Sequence, residues 1–204
     1  MQKIYRFILI VLAIGFVGCV QQSSNHDKSK DNDIERPIDQ LVSNFLMDHH
    51  NYLNNDVTKE AGDKEFQRAF FDSAVNYLKN VPLRLYTTNK KGNKCYAKFE
   101  GWLKPQNNKP DSFIESINCD VITEVPDSMI LNLKEGAYYC LEGKIIRRID
   151  LDQLKSILGK RTRGITTIFG LRREHPDDGY EVNLGQLYFE LDSLKEFSSN
   201  RISL

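Results

Sequence analysis

A change of hydrophobic period at Val81-Pro82 constrains this chain most. Upstream, apolar residues recur with the spacing of a helix face: Ile38, Leu41, Val42, Phe45, Leu46, His49 and Leu53, then Phe66, Ala69, Phe70, Ser73, Ala74, Tyr77 and Leu78. Pro37 opens the first helix, Asp63 is placed to cap the second, and Val81-Pro82 ends it. The expected product is an amphipathic helical hairpin over residues 37–80. From Leu83 the period becomes two. Leu83, Leu85 and Thr87 alternate with Arg84, Tyr86 and Thr88. After a turn at Lys90-Lys91-Gly92-Asn93, residues Cys95, Ala97, Phe99, Gly101 and Leu103 alternate with Tyr96, Lys98, Glu100 and Trp102. A stripe of aromatic helix surface needs a cover, and the sheet that follows is the nearest one. The expected class is α+β, with the hairpin packed on a small antiparallel β domain over residues 82–204.

Further along, Ile117, Cys119, Val121, Thr123 and Val125 form a third strand, and Pro126-Asp127 starts a short helix that Glu135-Gly136 stops. A fourth strand runs from Ala137 to Ile146, with Gly143 where a coiled strand bends. Three strands, a short helix and a fourth strand carrying Tyr138-Tyr139-x-x-x-Gly143-Lys144 resemble the OB-fold, a small Greek-key barrel, between about Leu83 and Ile146. The remainder predicts a helix from Asp150 to Leu158, a strand from Gly164 to Arg173, and strand material at Tyr180 to Asn183 and Leu187 to Leu191. Gly185 marks a bulge or a tight turn, and Ser193-x-x-Glu196 has the pattern of a capping box for a last helical turn.

The amino terminus assigns a compartment. Lys3 and Arg6 precede an unbroken apolar run from Phe7 to Val17. That is shorter than the roughly 20 residues a membrane-spanning helix needs, and inside the window of about 7 to 15 of a secretory signal. The run ends in Phe16-Val17-Gly18-Cys19, which resembles a bacterial lipobox. The resemblance implies cleavage after Gly18, leaving 1–18 as signal peptide, and diacylation of the Cys19 thiol, followed by palmitate-type acylation of the new amino group. Phe16 stands where the motif more often has Leu. Val20 follows the cysteine in place of the Asp of inner-membrane retention, which implies the outer membrane and selects neither face of it. Residues 19–36 then form the lipidated cysteine and a polar tether, which at about 5–6 Å × √n reaches roughly 20–25 Å from the bilayer.

Charge excludes little. Loss of Lys3 and Arg6 from the 28 basic residues leaves 26 against 28 acids, a net charge of −2, so nucleic acid is disfavoured as a partner. Cys95, Cys119 and Cys140 permit at most one disulfide, by any of three pairings. They show no Cys-x-x-Cys spacing, so no metal or cofactor is expected. Asp48-His49-His50 and His175 would bind metal only if the fold gathered them, and Asp177-Asp178-Gly179 reads as turn chemistry. No nucleophile–base motif is present. The sharpest asymmetry is local: residues 141–175 hold nine cations, among them Lys144, Arg147, Arg148, Arg172 and Arg173, against four acids. The segment before it is acidic. The basic run is the candidate anion-binding surface, with Tyr96, Trp102 and Tyr138 as candidate stacking partners. Its alternative is mutual neutralisation with the acidic segment across the sheet. The expected role is a membrane-anchored envelope lipoprotein that binds a partner protein or anionic ligand without catalysis. The competing expectation is a lipid-anchored hydrolase using carboxylates such as Glu100, Asp120 or Glu124 on an envelope or polysaccharide substrate.

Overall fold

A computed structural model describes residues 36–103, 114–159, 169–175 and 178–197, with backbone alone for Trp102 and Leu103. The signal segment, Cys19 and the tether lie outside the described residues, as do Lys160, Arg161, Arg163 and Asp177. The fold is α+β, with four described helices and a six-stranded sheet.

Helix α1 spans Pro37–Asp48, with the proline in its first turn and Ile38, Val42 and Phe45 buried along one stripe. Helix α2 spans Asp56–Phe71 and differs from the expectation at both ends. Asn55 is its cap. The Asn55 side chain accepts the Thr58 N–H at 3.0 Å, while the Thr58 hydroxyl accepts the Asn55 N–H at 3.3 Å, a reciprocal pair that starts the helix before Asp63. It stops at Phe71 because short polar side chains take up the following backbone. Ser73 Oγ accepts from Val75 N and Asn76 Oδ1 from Leu78 N. Leu78 is buried nonetheless, from a turn and not from a helix. The two helices meet through Phe45 and Phe66, whose ring centroids are 5.1 Å apart.

Strand β1 (Leu83–Lys91) turns through Gly92-Asn93 into β2 (Lys94–Leu103), which pairs antiparallel with β3 (Ile114–Val125). Helix α3 (Asp127–Ile130) leads to β4 (Tyr138–Arg148), and α4 (Leu151–Leu158) leads to β5 (Gly170–Arg172) and β6 (Tyr180–Glu196). β6 lies antiparallel to β4 and parallel to β3, and β4 returns to β1 at Leu83–Tyr139 and Arg84–Tyr138. The pairings therefore run in a ring, β1-β2-β3-β6-β4-β1, with β5 outside it on β6.

β6 corrects two expectations. Its separate pieces are one strand, passing Gly185 (φ 64°) at a register shift against β3. The last helical turn is absent: Leu194, Lys195 and Glu196 pair with Leu141, Cys140 and Tyr139, so the strand continues where local sequence offers a cap. Gly143 lies at a register shift of β4 with φ 147°, where an added Cβ would run into the Glu190 carbonyl.

One apolar core joins Phe45, Phe66 and Phe70 to the inward residues of the ring, including Phe99, Val121 and Leu187. A second, smaller cluster lies on the other face of β3, where Leu154 and Leu158 of α4 cover Ile122 and Ile149. β3 is thus buried on both sides, and polar residues on its outer face are buried too. Among the described residues no helix is long and apolar enough to cross a membrane.

Candidate functional site

Where β4 gives way to α4, the chain reads Arg147-Arg148-Ile149-Asp150. Asp150 caps the helix: its Oδ1 accepts the Gln153 N–H at 2.7 Å, and Gln153 Oε1 accepts the Arg147 Nη1–H at 2.9 Å. The cap therefore fixes one guanidinium, which also lies over the Tyr188 ring, 5.5 Å from its centroid. Arg148 lies over Phe169 at 5.4 Å and passes beside Gly185, where a Cβ would come 3.7 Å from its Nη2. The bulge at Gly185 is followed by Gln186, whose carbonyl accepts the Ile149 N–H at 2.9 Å and ties β6 to this corner.

These groups lie around an open cleft of about 440 Å³, whose lining also includes Gln67 of α2. The lining residues are two arginines, one aspartate, three glutamines and Ile149. Gln186 is the most deeply buried of them at 3 % exposed, and neither its Nε2 nor its Oε1 has a hydrogen-bond partner among the described residues. A buried amide left in that state costs about 1–3 kcal/mol.

The second polar group is enclosed. Lys98 Nζ is 3.0 Å from Glu100 Oε1 and 3.1 Å from Asp120 Oδ1, and 4.6 Å from the Tyr86 ring centroid. Lys98 and Asp120 are both 0 % exposed. Two of the carboxylates named for a hydrolase are thus brought together at one ammonium, whose single charge offsets one of theirs. Neither lines the cleft. The third, Glu124, forms a surface pair with Lys94 at 2.7 Å.

Of the five candidate cations, only Arg147 and Arg148 line the cleft. Lys144 faces Glu190 across the β4–β6 register, Arg172 is exposed opposite Glu181, and Arg173 lies over the Tyr180 ring at 5.0 Å. The neutralisation expected across the sheet takes another form. Asp120, Glu124 and Asp127 meet Lys98, Lys94 and Lys90 of the first hairpin. Tyr96 is half-buried against the α4 cluster and Tyr138 is half-buried beside Arg84, so both are less available for stacking than expected. Trp102 stands opposite Asn118 in register, its side chain outside the described residues. Gln67, Gln153 and Gln186 were not foreseen. A glutamine inside the apolar run of β6 was their one visible signal.

The histidines do not converge. His49 pairs with Glu65 at 2.5 Å, while His50 and His175 are exposed. Asp178 closes a turn on His175 through both backbone and side chain. Among the described residues no group of three His, Cys, Asp or Glu could hold a metal ion. All three cysteines are free thiols. Burial and the adjacent Asp120 charge push Cys119 up to about 12, the Asp127 carboxylate accepting its S–H raises Cys95, and burial raises Cys140. Comparison with family models, with characterised proteins and with solved structures gives no match.

Proposed function

We propose that this protein is an envelope lipoprotein, held on its membrane by acyl chains at Cys19, whose folded part is a non-enzymatic binding module. The ring order β1-β2-β3-β6-β4, with β3 and β6 parallel, supports reading that part as an OB-like barrel with β5 added outside. The observation that carries the binding role is the cleft at the β4–α4 corner, with both Arg147 and Arg148 in its lining. A hydrolase gains no support, because Glu100 and Asp120 share Lys98 away from the cleft and are not among its lining residues. The occupant is anionic, since two guanidinium groups outnumber the one carboxylate of Asp150 in the lining.

The test is titration of the lipidated protein, purified in neutral detergent, with heparin. Binding should weaken steeply between low and moderate salt, and Arg147→Ala with Arg148→Ala should reduce it about tenfold or more. Binding that ignores salt, or that survives loss of both arginines, overturns the reading.

A further inference from the structure

We propose that Lys98 and Asp120 condense within the folded chain to an isopeptide bond between Nζ and Cγ, a covalent staple from β2 to β3, and that Glu100 carries the protons. The proposal is independent of what the cleft binds. The ion-paired arrangement of the three side chains is the state from which the bond forms.

Contact is the first reason. Lys98 Nζ lies 3.1 Å from Asp120 Oδ1, so the carboxyl carbon is one C–O bond beyond an atom the nitrogen already touches. The sheet fixes this approach: Glu100 stands opposite Asp120 in the β2–β3 register, and Lys98 precedes Glu100 by two residues on the same face. Lys98 and Asp120 each have further partners, and the Nζ–Oδ1 contact exists beside them. Groups held in such geometry react with effective molarities of about 10⁵–10⁸ M, which offsets the unfavourable condensation of an ammonium with a carboxylate. Enclosure is the second reason. Lys98 and Asp120 are both 0 % exposed, and the Tyr86 ring centroid lies 4.6 Å from Nζ. Burial favours the neutral amine and carboxylic acid over the two ions, and exclusion of water protects the amide once made. The third reason is Glu100, whose Oε1 is 3.0 Å from Nζ and whose side chain is 24 % exposed. A second carboxylate on one ammonium exceeds what charge balance requires and is placed to relay a proton.

The Lys98 ammonium gives one proton to the Asp120 carboxylate, and the neutral Nζ attacks Cγ to form the C–N bond. Glu100 takes a second proton from the nitrogen and returns it to the departing hydroxyl. The C–O bond breaks and one water leaves, so ammonium and carboxylate become amide and water with Glu100 unchanged. The product closes the chain between residues 98 and 120 and restricts its unfolded state as a disulfide would.

The experiment is peptide mass mapping of the full lipidated protein, denatured and digested with trypsin. Lys104 and Lys109 both precede proline, so trypsin passes them. Without the bond, cleavage after Lys94, Lys98 and Lys134 releases peptides 95–98 and 99–134. With it, Lys98 is blocked and a single peptide 95–134 appears, lighter by one water, with fragment ions that join Lys98 to Asp120. This bonded peptide should account for most of the chain. Lys98→Arg keeps a cation that cannot lose its charge, and the same segment should then carry its full mass. Glu100→Gln should lower the bonded fraction at purification about tenfold or more while its circular dichroism matches the native chain. The native digest needs no variant to fold. Peptides 95–98 and 99–134 as its main products overturn the proposal, and so does a lost water with Lys98 still cleaved. Glu100→Gln bonded as fully as the native chain overturns the part assigned to Glu100.

Discussion

A lysine with no surface in contact with water has to be neutralised where it sits. Lys98 stands opposite Ile122 in register and α4 covers Ile122, so a position that alternation assigns to solvent lies beside a buried layer. Its two carboxylates, Glu100 and Asp120, neutralise it, and they in turn depend on it to hold two negative charges close together. Lys98→Met fills nearly the same volume with an apolar chain but strips the cation from between the carboxylates. Equilibrium urea unfolding should register a loss of about 3–5 kcal/mol, and a second substitution, Asp120→Asn, should restore part of it through a favourable coupling. A single-variant loss under about 1 kcal/mol would mean that the cluster is solvated and that its members are open to chemistry. Asp120 was nameable in the sequence as a carboxylate on the third strand, but its partner was not. Lys98 reads in the sequence as an ordinary outward lysine, since Asp120 reaches it through the pairing of β2 with β3.

Between elements, one polar contact of the helical layer centres on His49. The Nδ1–H donates to the Phe45 carbonyl at 3.0 Å and Nε2 meets Glu65 of α2 at 2.5 Å, so both ring nitrogens face acceptors and the doubly protonated ring satisfies both. Partial burial acts to lower the pKa. The Glu65 and Phe45 hydrogen bonds, with the charges of Glu65 and Asp48, outweigh it, and the net shift is upward from 6.5. A raised value in the folded state means stability that is fully present below 6.5 and lost as pH climbs through the raised value. Denaturation midpoints of the native chain and His49→Gln should therefore differ most near about pH 5.5, by roughly 0.5 kcal/mol for so exposed a pair, and converge toward about pH 8.5. A gap that widens with pH would show the ring bound as the neutral form. The same layer shows what sequence could and could not give. The stripe of α1 was readable because Ile38, Val42 and Phe45 obey one period and Pro37 marks the start. The ends of α2 were not, since Asn55 acts through a threonine in place of the usual glutamate and the downstream stripe residue Leu78 is buried from a turn. A period records burial, and burial does not require a helix. The cleft was half legible for the same reason: Arg147 and Arg148 stood out as charge, whereas Gln67, Gln153 and Gln186 belong to three elements that only the closed fold brings to one corner.

At the scale of the whole molecule, the strength of the ring is uneven. β3 is held on both edges, by β2 along Cys119, Val121 and Thr123 and by β6 along the same residues. The opposite joint, β1 with β4, consists of Leu83–Tyr139 and Arg84–Tyr138, extended by the bonds from Leu85 N–H to the Ala137 carbonyl and from Gly136 N–H to the Leu85 carbonyl, both 2.8 Å. The parallel β3–β6 contact joins segments separated by some 60 residues and cannot form until the chain between has been laid down, which is why no local pattern announced it. Once formed, it closes the ring and fixes Gln186 opposite Asp120. Opening of a ring begins at its weakest joint, and the amides there should exchange through a partial unfolding while the rest stays folded. Native-state hydrogen exchange should find Leu85 and Gly136 protected by roughly 2 kcal/mol less than Val121 and Thr123, with a dependence on denaturant too shallow for global unfolding. Equal protection at both joints would mean that the ring opens only as a unit, and that β4 and its arginines are held as firmly as the central strand.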